Sequence, residues 1–236
     1  MKVGIMQPYL FPYIGYWQLI YAVNRFVILD DVNYIMRGYI NRNSILLNGK
    51  PYKFTIPIKQ ASQNRLIMDT KLNFGEKEKK KFLATISNAY KKAPFYHNIM
   101  PLIENIILNS QDDLTDYIQN SLEVVMKYLE IETELYRSSQ IKKDNTLHAQ
   151  DRIIEICKKL QGDTYINPSG GRKLYDDNTF KRETLTLYFL DTDRKSIIYN
   201  QGKNEFCENL SIIDVLMFND VKSIKQFLKQ YSLNKS

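Results

Sequence analysis

Histidine and cysteine are scarce in this 236-residue chain, which has two of each and no metal-ligand spacing among them. A zinc site is therefore not expected, because structural and catalytic zinc need three or four such ligands brought together. Cys157 and Cys207 are too few for a disulfide scaffold and point to a reducing compartment. Cys157 ends the run Ile153-Ile154-Glu155-Ile156-Cys157, at the spacing of a buried helix face, where a free thiol packs as a small apolar group. Long apolar runs are missing as well, so no membrane span is expected. The opening residues, Met1 to Pro8, carry one lysine and no small-residue cleavage site. They read as a first strand rather than a signal peptide, and the expected location is cytoplasmic. Three catalytic signatures are also absent: the Walker A loop, the dinucleotide Gly fingerprint and the nucleophile elbow.

What is present begins with an apolar content of 44%, enough for a sizeable core. The formal charge is +7, with lysines clustered at Lys77–Lys81 and Lys91-Lys92 on what should be a solvated helix face. No nucleic-acid-binding module accompanies that charge, so nucleic acid is not an expected partner. A site for the phosphates of a small anionic metabolite is the more economical use of it.

Along the chain, Lys2–Gln7 alternates like a strand and closes on Gln7-Pro8. Tyr13–Ala22 suits a short helix and Arg25–Leu29 a second strand, a spacing that points to a parallel βαβ unit. Asn48-Gly49, between Ser44–Leu47 and Tyr52–Ile58, marks a hairpin turn. Glu76–Lys91, Asn98–Leu108 and Asp112–Leu129 read as three helices, the last with an Asp cap. Strand composition returns at Thr133–Arg137, followed by a helix at Ala149–Leu160, a strand at Thr164–Ile166 and another at Leu185–Leu190. Ser211–Phe218 and Asp220–Gln230 read as closing helices. The expected fold is α/β: one domain with a mostly parallel, Rossmann-like sheet flanked by helices, and a helical bundle inserted at residues 76–130.

Three segments carry residues whose chemistry exceeds the needs of a core. The first is Gln7-Pro8-Tyr9-Leu10-Phe11-Pro12-Tyr13-Ile14-Gly15-Tyr16-Trp17, just after the first strand, where open α/β sheets place ligands. Its prolines stiffen a loop that leads into a helix N-terminus, and its aromatics can stack on a base or sugar. Gln7, Pro8, Tyr9, Phe11, Tyr13 and Gly15 are its candidate binding residues, although Phe11, Tyr13 and Trp17 also suit a helix anchored in the core. The second is Asp30 to Asn43. Asp30 and Asp31 can take hydroxyls or act as a general base, while Arg37 and Arg42 can grip a phosphate. Tyr34, Asn41 and Asn43 complete this polar set, and an ion-paired loop is the plain alternative. The third is Tyr165 to Tyr175, where Ser169, Gly170, Gly171 and Arg172 can cradle an anion beside Tyr175. Any tight turn also uses Gly-Gly. His97 and His148, the two imidazoles, are further candidates for a general base.

Met6 to Ile20, Asp30-Asp31-Val32-Asn33-Tyr34 with Arg37-Gly38 and Ile40 to Asn43, Ile156-Cys157, Tyr165 to Gly171 and Leu210–Met217 together resemble the WbqC-like family. The resemblance spans nearly the whole chain. It implies a place among bacterial O-antigen, capsule and other surface-glycan genes, often beside aminotransferases that make amino sugars. The opening is also similar in architecture to nucleotidylyl transferases and class I synthetases. Those place two histidines around a glycine, where this chain has Tyr13 and Tyr16 around Gly15, so that histidine-borne adenylate chemistry is not implied.

The expected function is transfer of an acyl or aminoacyl group to a nucleotide-linked amino sugar, with an acyl donor or carrier protein as second partner. In that reading Arg37, Arg42 and Arg172 hold phosphates, and Asp30, Asp31, His97 or His148 removes the proton of the attacking amine. The alternatives are a triphosphate- and magnesium-dependent activating enzyme and a non-catalytic partner of the polysaccharide machinery. No residue pattern identifies a cofactor.

Overall fold

The computed structural model describes residues 1–203 and 205–235. Lys2–Met6 (β1), Ile14–Ala22 (α1) and Arg25–Ile28 (β2) make the βαβ unit, with β1 parallel to β2 and Val3 beside Arg25. Helix α1 is buried from Ile14 to Ile20 because it lies on the sheet and is covered in turn by later segments. Its one amide side chain, Gln18, is fully buried and fully bonded. Its Nε2 donates to the carbonyls of Phe227 (2.8 Å) and Gln230 (2.9 Å), and its Oε1 accepts from Thr192 (2.7 Å). A buried amide satisfied on both sides fixes α1 against the end of the chain at no desolvation penalty.

The connection from β2 onward is long. It holds a hairpin, Arg42–Leu47 (β3) and Lys50–Thr55 (β4), turning through Asn48 and Gly49 with φ of +53° and +74°. Two positive φ angles are what a tight hairpin turn requires. Three helices follow: Glu76–Tyr90 (α2), Tyr96–Ile107 (α3) and Leu114–Tyr128 (α4). Asp113 caps α4, accepting from Thr115 N–H (2.9 Å) and Asp116 N–H (3.1 Å). The chain then returns to the sheet as Glu134–Arg137 (β5), parallel to β2. Ala149–Lys159 (α5), Thr164–Pro168 (β6), a 3₁₀ turn at Ser169–Leu174, Asp177–Arg182 (α6) and Thr186–Thr192 (β7) follow. Ile212–Phe218 (α7), Val221–Phe227 (α8) and Tyr231–Lys235 (β8) close the described chain.

The six-stranded sheet has the order β5-β2-β1-β6-β7-β8, parallel except for β8. The fold is therefore α/β, a mostly parallel sheet flanked by helices. Central-strand side chains alternate between two cores. Phe26, Ile28, Ile166 and Leu190 join the core of α1, the inserted helices and α7–α8; Val3, Ile5, Val27, Tyr165, Leu187 and Phe189 join that of α5 and α6. The direction of strand succession reverses between β1 and β6, so a crevice opens at the carboxyl ends of these two strands. The sequence pattern predicts neither β8 nor α6 and extends the last helix as far as Gln230, where the structure ends α8 at Phe227. β8 is a short, half-exposed edge strand whose pattern, Tyr-Ser-Leu-Asn-Lys, is too brief to separate from a helix tail.

Candidate functional site

The loop after β1 is held open by its own backbone. The carbonyl of Gln7 accepts from Tyr16 Oη (2.9 Å), that of Phe11 from Asn43 Nδ2 (2.7 Å) and Ser211 Oγ (2.8 Å), and that of Pro12 from Trp17 Nε1 (3.1 Å) and the N–H of Ile212 (3.0 Å). Phe11 sits at φ +45°, a left-handed conformation that a bulky residue keeps only when its surroundings over-determine it. Its ring is 1% exposed and stacks against Phe82, so Phe11 anchors the loop. Pro8 and Asn43 are likewise buried parts of this frame.

Two tyrosines of the loop are half-buried and reach a cavity. Tyr9 and Tyr13, with Pro12, Tyr39, Asn43, Arg194 and Asn209, line a cavity of about 270 Å³ at the carboxyl edge of the sheet. The rings of Tyr9 and Tyr39 lie 6.2 Å apart. Gly15 explains the placement of Tyr13: a Cβ there would come within 2.5 Å of that ring, so only glycine lets the tyrosine lie across the start of α1. Burial raises the pKa of the Tyr9 and Tyr13 phenols, and Arg194 opposes the rise at Tyr13. Both stay neutral hydrogen-bond donors at physiological pH. Arg194 is exposed and meets no carboxylate within ion-pair distance among the described residues; Arg25, Arg137, Arg152 and Arg172 each do. Aromatic walls and an uncompensated guanidinium suit a flat or sugar ring that carries an anionic group.

In the loop after β2 the acids face inward. Asp30 is 1% exposed and accepts from the N–H (3.0 Å) and hydroxyl (2.7 Å) of Ser139, tying β2 to the end of β5. Asp31 pairs with Lys143 at 2.6 Å, and Arg152 lies at 3.9 Å and donates to its carbonyl. Tyr34 is buried and donates to Asn41 (2.6 Å), which donates in turn to the carbonyl of Ile56 (2.6 Å). Arg42 is half-buried, and its Nε has no hydrogen-bond partner among the described residues. Arg37 is exposed at φ +63°.

The segment after β6 turns much of its chemistry on itself. Gly171 lies where a Cβ would meet Asn167 Nδ2 at 2.2 Å, while Gly170 faces open space. Arg172 lies over the Phe189 ring at 4.4 Å and 3.7 Å from Asp191. Hydrogen bonds from Ser169 and Asn234, with the Arg172 charge, hold the Asp191 carboxyl below its usual range. Tyr175 shares a hydrogen bond with Tyr165 (3.1 Å) and lines a second cavity of about 310 Å³, together with Leu29, Val32, Leu174, Ile153, Arg152 and the first residues of α5. His148 is the N-cap of α5, makes no side-chain capping bond, and stands on this cavity. His97 is exposed near the start of α3, its ring 5.3 Å from that of Tyr96.

Of the sequence candidates, then, Tyr9, Tyr13 and Asn43 meet at one cavity and His148 and Tyr175 at another. Asp30, Asn41 and Phe11 serve the frame, and His97 stands apart on the insert. Sequence reasoning missed Arg194, Tyr39 and Asn209. Tyr39 had a signal, an aromatic within a flagged loop, whereas nothing separated Arg194 from the other surface cations. A larger cavity, about 740 Å³, lies at the opposite edge among Met1, Asn24, Arg25 and Glu130–Glu134, away from the switch point. Among the described residues no three His, Cys, Asp or Glu side chains gather in a metal-binding arrangement, and no helix is long and apolar enough to cross a membrane.

A model of the WbqC-like protein family matches residues 7–226, taking in both cavities and the loops that form them. The chain belongs to the WbqC-like protein family. A Mycobacterium tuberculosis protein, described as uncharacterized protein Rv1507c, is 26% identical over 217 residues, covering 91% of this chain and 92% of its own length. This WbqC-like chain has no significantly similar solved structure.

Proposed function

We propose that this WbqC-like protein is a cytoplasmic transferase of bacterial surface-polysaccharide metabolism that acylates or aminoacylates a nucleotide-linked amino sugar. The observation that carries the reading is the meeting of three tyrosines with Arg194, a cation lacking an ion-pair partner among the described residues, beside the strand-order switch. Tyr9, Tyr13 and Tyr39 would hold the base or sugar face, and Arg194 a diphosphate oxygen. The substrate would then run along the carboxyl edge toward the α5 cavity, where His148 takes the proton of the amine. The amine nitrogen attacks the carbonyl of a thioester donor. A C–N bond forms, the C–S bond breaks, and the proton passes from the imidazole to the leaving thiolate.

Thermal shift with uridine- or thymidine-diphosphate amino sugars, with nucleoside triphosphates plus magnesium, and with acyl-coenzyme A tests this. A rise in Tm with the nucleotide-linked amino sugar supports it, because a ligand of the folded state stabilises by mass action. Arg194→Ala should weaken that binding roughly 10- to 100-fold, the worth of a hydrogen bond to a charged group. His148→Ala should keep binding and lower turnover by about 10²- to 10⁴-fold. A shift only with triphosphate and magnesium would replace the transferase with an activating enzyme.

A further inference from the structure

The charge of this chain is concentrated. Residues 32–68 hold Arg37, Arg42, Lys50, Lys53, Lys59 and Arg65 and no Asp or Glu, so +6 of the formal +7 comes from this one segment. Arg37 and Arg65 face no carboxylate within ion-pair distance among the described residues; the Arg65 guanidinium donates to the Lys59 carbonyl (3.4 Å) and Gln60 Oε1 (3.2 Å). Lys59 and Lys71 reach Asp112 (3.9 Å) and Asp113 (3.3 Å) in exposed pairs, which hold such cations weakly.

The same segment exposes apolar side chains. Ile35, Met36 and Tyr39 are 51%, 45% and 59% exposed, three of the eight large apolar side chains so exposed among the described residues. The other five are scattered along the chain, whereas these fall within five residues. The loop that carries them is firmly built. Gly38 N–H closes a turn on the Ile35 carbonyl (3.2 Å), Tyr34 N–H donates to the Arg65 carbonyl (2.8 Å), and Leu10 N–H donates to the Ile40 carbonyl (3.0 Å). A fixed backbone thus holds Ile35 and Met36 out in water beside Arg37. Tyr39 of the same tip is a wall of the aromatic cavity.

Three side chains are too few for a stable protein interface, which takes about 800 Å² from each partner. A bilayer surface needs less: a few apolar groups among the headgroups, an aromatic at the interface and cations against anionic lipid. We propose that the tip Ile35–Tyr39 docks on an anionic lipid bilayer, with the surrounding basic segment held to its surface and the mouth of the aromatic cavity brought to the headgroup layer. The proposal is independent of the substrate assigned above.

Co-sedimentation tests it, using vesicles of mixed phosphatidylglycerol and phosphatidylcholine and vesicles of phosphatidylcholine alone. The chain should pellet with the mixed vesicles only and be released by high salt. The double variant Ile35→Glu/Met36→Glu, whose sites are exposed and whose fold is checked by its Tm, should stay in the supernatant. Arg37→Glu should weaken partitioning roughly 30-fold, a change of two charges near the surface. Lys222→Glu, the same charge change on α8, should weaken it far less. The proposal is overturned if the chain ignores both vesicle types, if the double variant pellets like the wild type, or if Lys222→Glu matches Arg37→Glu. A wild-type dimer in sedimentation velocity that the double variant dissolves would assign the tip to a second copy and overturn it as well.

Discussion

Replacing Gly15 by alanine separates the cavity from the fold. The new Cβ would stand 2.5 Å from Tyr13 Cε2 and 2.7 Å from its Cζ and Oη, where carbon atoms in contact rest at about 3.5–4.0 Å. The obstacle is the far end of a side chain facing a cavity, so the ring gives way by about 1 Å or more. Stability should hardly change, because alanine within a helix gains about 1 kcal/mol over glycine, against a displaced ring that loses contacts of similar size. Binding should change clearly. Loss of one stacking wall is worth about 1–3 kcal/mol, or roughly 5- to 150-fold in Kd. The assay is calorimetric titration of a uridine-diphosphate amino sugar into wild type, Gly15→Ala and Tyr13→Ala, with Tm measured on each. Gly15→Ala should match Tyr13→Ala in affinity and the wild type in Tm. Wild-type affinity with an unchanged Tm would refute Tyr13 as a wall of the site, and a collapse in Tm would refute the ring as the element that yields.

Asp30→Ala strands the N–H and hydroxyl of Ser139, so it should cost about 3 kcal/mol, while Ser139→Ala should cost about 1 kcal/mol; urea unfolding measures both. At roughly 2–4 °C per kcal/mol for a chain this long, Asp30→Ala should melt about 6–12 °C lower. Asp214 is buried among Tyr90 (2.8 Å), Tyr199 (2.7 Å) and Gln201 (2.7 Å), and burial raises its carboxyl above the ordinary 3.8. The folded state thus holds this proton more tightly than the unfolded chain. Its contribution is fully present below the unfolded pKa and declines as pH rises through the folded one. Stability of wild type relative to Asp214→Asn should accordingly fall with rising pH across that window, and a flat difference would contradict the raised carboxyl. Burial pushes the Cys157 thiol up to about 12, so a thiol reagent should label Cys207 in the native protein and reach Cys157 only on unfolding.

How much of this was legible depends on the range of the interaction. The βαβ unit could be read because Lys2–Met6, α1 and Arg25–Ile28 each carry a local pattern and neighbour one another in sequence. The turn at Asn48-Gly49 was legible for the same reason. The sheet order was not, since pairing β5 beside β2 joins residues more than a hundred positions apart through contacts that leave no local mark. The flagged loops did reach the carboxyl edge, yet roles within them depended on long-range partners. Asp30 looks like a general base in the sequence and becomes a strut only when Ser139 arrives. Arg172 looks like a free anion ligand in the sequence, and only the fold shows that it also lies over Phe189 and beside Asp191. Arg194 shows the reverse: an ordinary surface cation in sequence becomes part of a cavity wall because Tyr9, Tyr13 and Tyr39 gather beside it.

The most direct test of the central claim is a crystal structure of the protein with a bound uridine-diphosphate amino sugar. The account predicts density for the ligand between Tyr9, Tyr13 and Tyr39, with a phosphate oxygen on Arg194 and the amine end toward His148. Density in the cavity at the opposite edge, among Asn24, Arg25 and Glu130–Glu134, with the aromatic cavity empty, would contradict it.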